Sequence, residues 1–101
     1  MSEFEQLKQF LEQDPENRNL RLDCAEAAIG EKALDEAVEV LRPLIDAGDP
    51  KALGFLGLVN FERGEFKIAE ETFAMLIEGG IDYPGVRFNL AWAQALSLIH
   101  I

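Results

Sequence analysis

The chain has 101 residues, of which 49% are hydrophobic and 9% aromatic, and its formal net charge is −10. This length and apolar content suit one small domain with a modest core. The acidic excess repels nucleic acid and anionic membrane surfaces, and the sequence offers no lysine and arginine cluster that would bind phosphates. We therefore expect no nucleic-acid partner and no membrane partner.

The cysteine content and the N-terminus indicate the compartment. A single cysteine, Cys24, cannot form an internal disulfide, and no CxxC-type metal spacing is present. The opening MSEFEQLKQF lacks the basic start and apolar run of a signal peptide. No apolar run approaches the roughly 20 residues that a membrane span needs. These features predict a soluble protein in a reducing, bacterial-type cytoplasm.

The last six residues, from Leu96 to Ile101, read LSLIHI and match a sequence that a common laboratory reagent encodes. They are what CTGTCTCTTATACACATC encodes, which matches the mosaic end of transposase-based sequencing libraries. We interpret residues 96–101 as a non-native adapter tail, the alternative being an apolar helix end. His100, the only histidine, therefore receives no functional role, and we expect the natural chain to continue differently after Ala95.

Apolar residues at helical spacing, separated by capping and turn residues, predict six helices and no strand. Ser2 followed by Glu5 is a capping-box pattern, and Asp49-Pro50 places an N-cap before a proline at the first helical position. Inside the third helix, Pro43 predicts a bend near Glu39 to Pro43, or a break and restart. The predicted ranges are 3–13, 17–29, 33–47, 50–62 and 66–78, with a sixth helix starting near residue 84.

Helices two to five contain an internal repeat, which pairs helices two and three with helices four and five. At an offset of 32 residues, Ala25 aligns with Gly57 and Leu41 with Phe73. Leu34 and Ala37 align in the same way with Phe66 and Ala69. A further offset of 34 carries Pro50 onto Pro84, so a third unit begins near residue 84.

The repeated unit resembles the tetratricopeptide repeat, in which Trp-x-x-Leu-Gly-x-x-Tyr precedes Ala-x-x-x-Phe and a closing proline. The resemblance extends nearly to Ala95. The central unit departs from the signature at Leu53 and Asn60, and the first unit has Cys24-Ala25 in place of Leu-Gly. The residues of the central unit that match are Leu56, Gly57, Gly64, Phe66, Ala69 and Phe73.

This resemblance implies an all-α fold in which antiparallel helix-turn-helix pairs stack as a short right-handed α-solenoid of about six helices. The small residues Gly57 and Ala69 would lie where paired helices approach most closely. Residues 1–95 would form a single domain. Its parts would be a capping half-repeat (1–15), repeat 1 (17–48), repeat 2 (49–81) and the first helix of a truncated repeat 3 (82–95).

Catalysis and metal binding have little support in the sequence. No nucleophile-base pair can be assembled, so we expect no enzyme activity and no cofactor. Pairs such as Glu70-Glu71 are typical of solvated helix faces, and no loop resembles a calcium or other metal site. Cys24 is interpreted as a small buried residue, with a reactive thiol as the alternative.

Protein binding remains, and the resemblance implies a concave groove lined by the first helix of each pair. Two apolar residues of the fourth helix, Phe55 and Val59, are interpreted as covered by neighbouring repeat units and not as part of the groove. The family's carboxylate-clamp function is disfavoured, because only Asn89 matches the clamp residue types. Carried onto this sequence, the groove residues are Leu22, Glu26, Ile29, Lys51, Leu58, Phe61, Glu62, Phe88 and Trp92.

An apolar groove with an acidic rim favours a partner segment with leucine-like anchors and basic flanks. Two functions remain open. The first is a scaffold or adaptor that binds a peptide or helix of a partner protein. The second is an N-terminal regulatory or interaction module of a longer protein, such as an enzyme or co-chaperone.

Overall fold

The computed structural model describes residues 2–80 and 84–99, without the side chains of residues 84–86, 88 and 99. The described residues form six α-helices and no β-strand, as predicted. The first five predicted ranges agree with the structure within one residue at each end. The expected restart at Asp82-Tyr83 lies outside the described residues. The helices are α1 (Glu3–Gln13), α2 (Arg18–Gly30), α3 (Leu34–Asp46), α4 (Pro50–Glu62), α5 (Phe66–Glu78) and α6 (Pro84–Ile99).

The chain forms two compact units, Met1–Ala52 and Leu53–Ile101. In the first unit, α2 packs against both α1 and α3. In the second unit, α5 packs against α6, and Gly57 of α4 meets the ring of Phe73 on α5. Within each unit, therefore, helices that follow one another in the chain pack against each other.

The core of the first unit is built mainly from small and aliphatic side chains. Because alanine and cysteine are short, they let the backbones of α2 and α3 approach closely, and the longer side chains fill the flanking volume. Burial of these side chains supplies the main driving force for folding of the unit. The buried residues of α1, α2 and α3 are Phe4, Leu11, Leu22, Cys24, Ala25, Ala28, Ala37, Val40 and Leu41.

Helix α3 continues through Pro43 without a break, so the predicted break and restart does not occur. Pro43 lies near the end of α3, and only the carbonyl of Glu39 loses its donor from within the helix. The adjacent carbonyl of Val40 accepts a hydrogen bond from Arg21 Nη1 at 2.9 Å, and Arg21 Nη2 donates to the Pro15 carbonyl at 2.9 Å. Arg21 thus ties α3 to the α1–α2 turn beside the proline.

Helices α2, α3 and α4 end in the same way. Each is followed by a residue with a left-handed backbone: Lys32 (φ 63°), Gly48 (φ 76°) and Gly64 (φ 80°). The next residue donates to a carbonyl five residues earlier, as from Ala33 to Ala28 and from Glu65 to Asn60. This is the Schellman arrangement, which normally favours glycine at the left-handed position. Lys32 is the exception, and its side chain makes that conformation costly.

We predict that Lys32→Gly raises the free energy of unfolding by about 1 kcal/mol, because it removes the left-handed penalty. Gly64→Ala, at the aligned position of the repeat, should lower it by about 1 kcal/mol. Urea denaturation followed by circular dichroism measures both changes. Loss of stability in Lys32→Gly would show that the lysine side chain contributes more than its backbone strain costs.

Asp49 connects the beginnings of two helices in the first unit. Its Oδ1 accepts the backbone N–H of Lys51 at 3.0 Å and of Ala52 at 3.2 Å, which confirms the predicted N-cap of α4. Arg18, the first residue of α2, donates to both carboxylate oxygens, with Nη2 at 3.0 Å from Oδ1. The Arg18 hydrogen bonds, with those from the Ala52 and Lys51 backbone, hold the pKa of Asp49 below its usual value against the opposing effect of partial burial.

Since the pKa of Asp49 is lowered by folding, its contribution to stability is present above the unfolded value of about 3.9 and lost as pH falls through the folded pKa. We predict that Arg18→Gln moves the Asp49 pKa upward, as measured by carboxyl carbon NMR. The stability difference between wild type and Arg18→Gln should shrink as pH falls below about 4. A difference that stays constant down to pH 2 would contradict the pairing.

The second unit is organised around a close contact between α4 and α5. A Cβ atom placed on Gly57 would lie 2.7 Å from Phe73 Cε1 and 2.9 Å from Cζ. Phe73 is fully buried, with Ala69, Leu76 and Ala93 beside it in the core. Gly57 therefore accommodates the Phe73 ring, which explains a glycine inside a helix, where it costs about 1 kcal/mol relative to alanine.

We predict that Gly57→Ala destabilises the wild-type chain by about 1 kcal/mol, since overpacking outweighs the gain in helix propensity. In a Phe73→Leu background, which copies the aligned pair Ala25 and Leu41, the same substitution should stabilise by about 1 kcal/mol. A double-mutant cycle by urea denaturation measures this coupling. Equal effects of Gly57→Ala in the two backgrounds would refute the steric account.

Candidate binding surface

The first unit holds four of the predicted groove residues. Glu26 and Lys51 are exposed and Ile29 is half-buried, so each offers surface to a partner. Leu22 is 3% exposed and belongs to the core of the unit. Its spacing from Glu26 and Ile29 on α2 predicted a shared face, but α1 and α3 both pack on α2. We therefore leave Leu22 out of the surface proposed below.

A cleft of about 530 Å³ lies between α1 and α2 beside Glu26. The side chains of Leu7 and Ala27 give it an apolar floor. One carboxylate is engaged, since Glu31 Oε2 accepts the Phe4 N–H at 3.0 Å. A cleft of this kind can hold the aliphatic stem of a lysine or arginine with its charge among carboxylates. The carboxylates that line it are Glu3, Asp23, Glu26 and Glu31.

Sequence reasoning found Glu26 but missed the other carboxylates of this cleft. Asp23, Glu26 and Gly30 recur at three- and four-residue spacing on α2, a signal for one shared helix face. Glu3 and Leu7 come from α1, and their approach to α2 depends on how the two helices pack. Only the α2 half of the cleft was therefore accessible to a pattern in the sequence.

In the second unit, the predicted groove residues differ in exposure. Leu58 and Phe61 are half-buried and pack against the core cluster that contains Phe73. The Phe61 ring meets Phe66 edge to face, with centroids 5.3 Å apart and an interplanar angle of 72°. That contact fixes the Phe61 ring, since aromatic pairs prefer this geometry.

The remaining predicted residues of the second unit lie near the ends of α4 and on α6. Glu62 is exposed, and Trp92 is 49% exposed, which leaves half of a large aromatic surface accessible. The Phe88 side chain lies outside the described residues. Val59 is fully buried and Phe55 half-buried, so Val59 is unavailable for contact.

A second cavity, of about 800 Å³, lies between the first turns of α5 and the end of α6. Phe66, Ile68 and Glu70 line it from α5. Gln94 lines it from α6, together with Ser97 and Leu98 of the segment interpreted as an adapter tail. The sequence did not predict this cavity, because its walls come from helices of two different repeats, and their approach depends on how the repeats pack.

The described residues give little indication of a metal site or of a reactive nucleophile. They contain no group of three or more histidine, cysteine or acidic side chains placed to hold a metal ion. Cys24 is fully buried, and burial raises the pKa of its thiol, so the thiol stays protonated at neutral pH. Among the described helices, none combines the length and the apolar content that crossing a membrane requires.

Comparison with known proteins identifies the repeat. A model of the tetratricopeptide repeat family matches residues 4–47, which include α1, α2 and α3. No curated protein and no solved structure matches the chain. The family match falls on the first unit, and its aligned small and large residues recur in the second unit at Gly57, Ala69 and Phe73. These findings support a tetratricopeptide repeat protein, with the family match confined to residues 4–47.

Proposed function

We propose that this protein is an adaptor that captures a partner segment with leucine-like anchors and basic flanks, as an extended peptide or an amphipathic helix. Tetratricopeptide repeats in general mediate protein–protein interaction. The observation that carries the more specific proposal is the cleft between α1 and α2, where Leu7 and Ala27 lie among four carboxylates. Basic side chains of the partner's flanks would occupy that cleft.

The charge of the chain supports a basic partner. The formal net charge is −10, so a positively charged segment is attracted over a longer range than the contact itself, and it associates faster. Of the cleft carboxylates, Glu3 and Glu26 are exposed and form no ion pair among the described residues. Both are therefore available to a cation.

Anchoring contacts would come from apolar side chains that remain accessible. Trp92 is the strongest of these, because aromatic residues concentrate binding energy and 49% of its surface is exposed. Ile29 in the first unit and Phe61 in the second offer smaller accessible areas, since both are half-buried. We propose each of these residues, within its own unit, as a contact for a leucine-like anchor of the partner.

The second candidate function is an interaction or regulatory module within a longer polypeptide, such as an enzyme or co-chaperone. The same surfaces would then bind a segment of that polypeptide or its substrate protein. A reducing cytoplasm is the proposed compartment for both candidates, because a single cysteine cannot form an internal disulfide. The complete reading frame of the gene distinguishes the two candidates, since only the second requires a further globular domain.

We predict that Trp92→Ala and Asp23→Asn/Glu26→Gln each reduce capture of a partner from cell extract. Binding of the captured partner, measured by isothermal calorimetry, should weaken about tenfold in Trp92→Ala, the size expected for loss of an aromatic anchor. In Asp23→Asn/Glu26→Gln, the salt dependence of binding should also decrease, because two screened charges are removed.

Matched controls are Phe10→Ala, which removes another exposed aromatic side chain, and Glu12→Gln/Glu16→Gln, which removes two exposed carboxylates outside the cleft. Thermal melts of all variants verify that the fold is intact. If the site variants and their controls capture the same proteins in the same yield, the proposed surface is wrong.

A further inference from the structure

The outward face of α5 carries two large apolar side chains that the core does not use. Ile68 is 47% exposed and Met75 is 56% exposed. Glu71 and Glu78, also exposed, alternate with them along the helix. The spacing of these four residues, three and four apart, places them on one face. We call Ile68, Glu71, Met75 and Glu78 the α5 strip.

The same face of the aligned helix in the first unit is acidic apart from one proline. At the offset of 32 residues, the α5 strip corresponds to four exposed residues of α3. Both helices bury the opposite face, through Ala37 and Leu41 on α3 and through Ala69 and Phe73 on α5. The fold therefore does not require apolar side chains on the strip. The aligned residues of α3 are Glu36, Glu39, Pro43 and Asp46.

The carboxylates of the strip are available for pairing. Among the described residues, the ion pair on α5 joins Lys67 to Glu70, at 3.7 Å, and leaves Glu71 and Glu78 without an ionic partner. An apolar side chain and a carboxylate therefore alternate twice along the helix. The complementary surface is a helix in which apolar and basic residues alternate at the same spacing.

We propose that the α5 strip docks an amphipathic helix of a partner protein, with leucine or isoleucine seven residues apart and lysine or arginine between them. The apolar side chains would pack on Ile68 and Met75, and the basic ones would pair with Glu71 and Glu78. At one end of the strip, Ile68 and Phe66 line the same cavity. This surface is separate from the residues proposed above for the adaptor function.

A second copy of the chain does not fit the strip. Two such strips would bring four carboxylates together with no basic side chain of either strip to pair with them, and each chain has a net charge of −10. Like charges in direct opposition disfavour association. The charge pattern therefore selects a basic partner helix over self-association.

The test uses the full chain and a fluorescein-labelled synthetic helix with leucines seven residues apart and lysines between them. A second peptide with glutamates in place of the lysines is the probe for charge. Fluorescence anisotropy should show binding of the lysine peptide and at least tenfold weaker binding of the glutamate peptide. Ile68→Ser/Met75→Ser should weaken the lysine peptide about tenfold or more, as expected when apolar anchors are removed.

Both substitutions are at exposed positions, and a thermal melt verifies that the variant folds. The matched control is Phe10→Ser, which changes an exposed apolar residue on a different helix, α1. It should leave the affinity unchanged. Glu71→Gln/Glu78→Gln should weaken the lysine peptide and reduce its salt dependence. The proposal is overturned if the lysine peptide does not bind, if Ile68→Ser/Met75→Ser binds as well as Phe10→Ser, or if sedimentation shows a dimer that only Ile68→Ser/Met75→Ser abolishes.

Discussion

The close approach of α4 and α5 at Gly57 is the constraint on which the second unit depends. The Phe73 ring occupies the space that any Cβ at Gly57 would need. Such a Cβ would lie only 2.7 Å from Phe73 Cε1. Beside the ring, Ala69, Leu76 and Ala93 complete the buried core cluster. In the first unit, the aligned pair Ala25 and Leu41 is likewise fully buried. Glycine with phenylalanine, and alanine with leucine, are two ways to divide a similar volume.

The proposed binding surfaces follow from what this packing leaves uncovered. Core formation uses one face of each helix, and the turns at Lys32, Gly48 and Gly64 set where each helix ends. The outward faces are then free to carry charge or apolar contacts. In the first unit they are mostly acidic, and the α1–α2 cleft collects four carboxylates around an apolar floor. In the second unit, apolar side chains remain accessible at Trp92 and along the α5 strip.

Much of the helical structure was predictable because capping and periodicity are local. Asp49 before Pro50 predicted the start of α4, and the structure confirms the cap. Of the bend or break predicted at Pro43, the break does not occur, because only one carbonyl loses its donor near a helix end while Ala37 and Leu41 hold α3 in the core. The left-handed residue after α2 is Lys32, a position that turn propensities do not favour.

The candidate surfaces were less predictable, because exposure depends on which helices pack together. Leu22 has the spacing of a groove residue, yet it is buried in the first unit. The cleft combines Glu3 of α1 with Glu26 of α2, which no local pattern connects. Ile68 and Met75 have the apolar character of core residues, and only their exposure separates them from Phe73. Helix periodicity identifies faces, whereas tertiary packing decides which face is covered.

The contact between Gly57 and the Phe73 ring can be observed directly by proton NMR. An α-proton of Gly57 held against a buried aromatic ring should resonate well upfield of its random-coil position and show nuclear Overhauser effects to the Phe73 ring protons. Replacing Phe73 with leucine should abolish the upfield shift. A random-coil Gly57 shift in the wild-type chain, without Overhauser effects to Phe73, would contradict the account of how these helices pack.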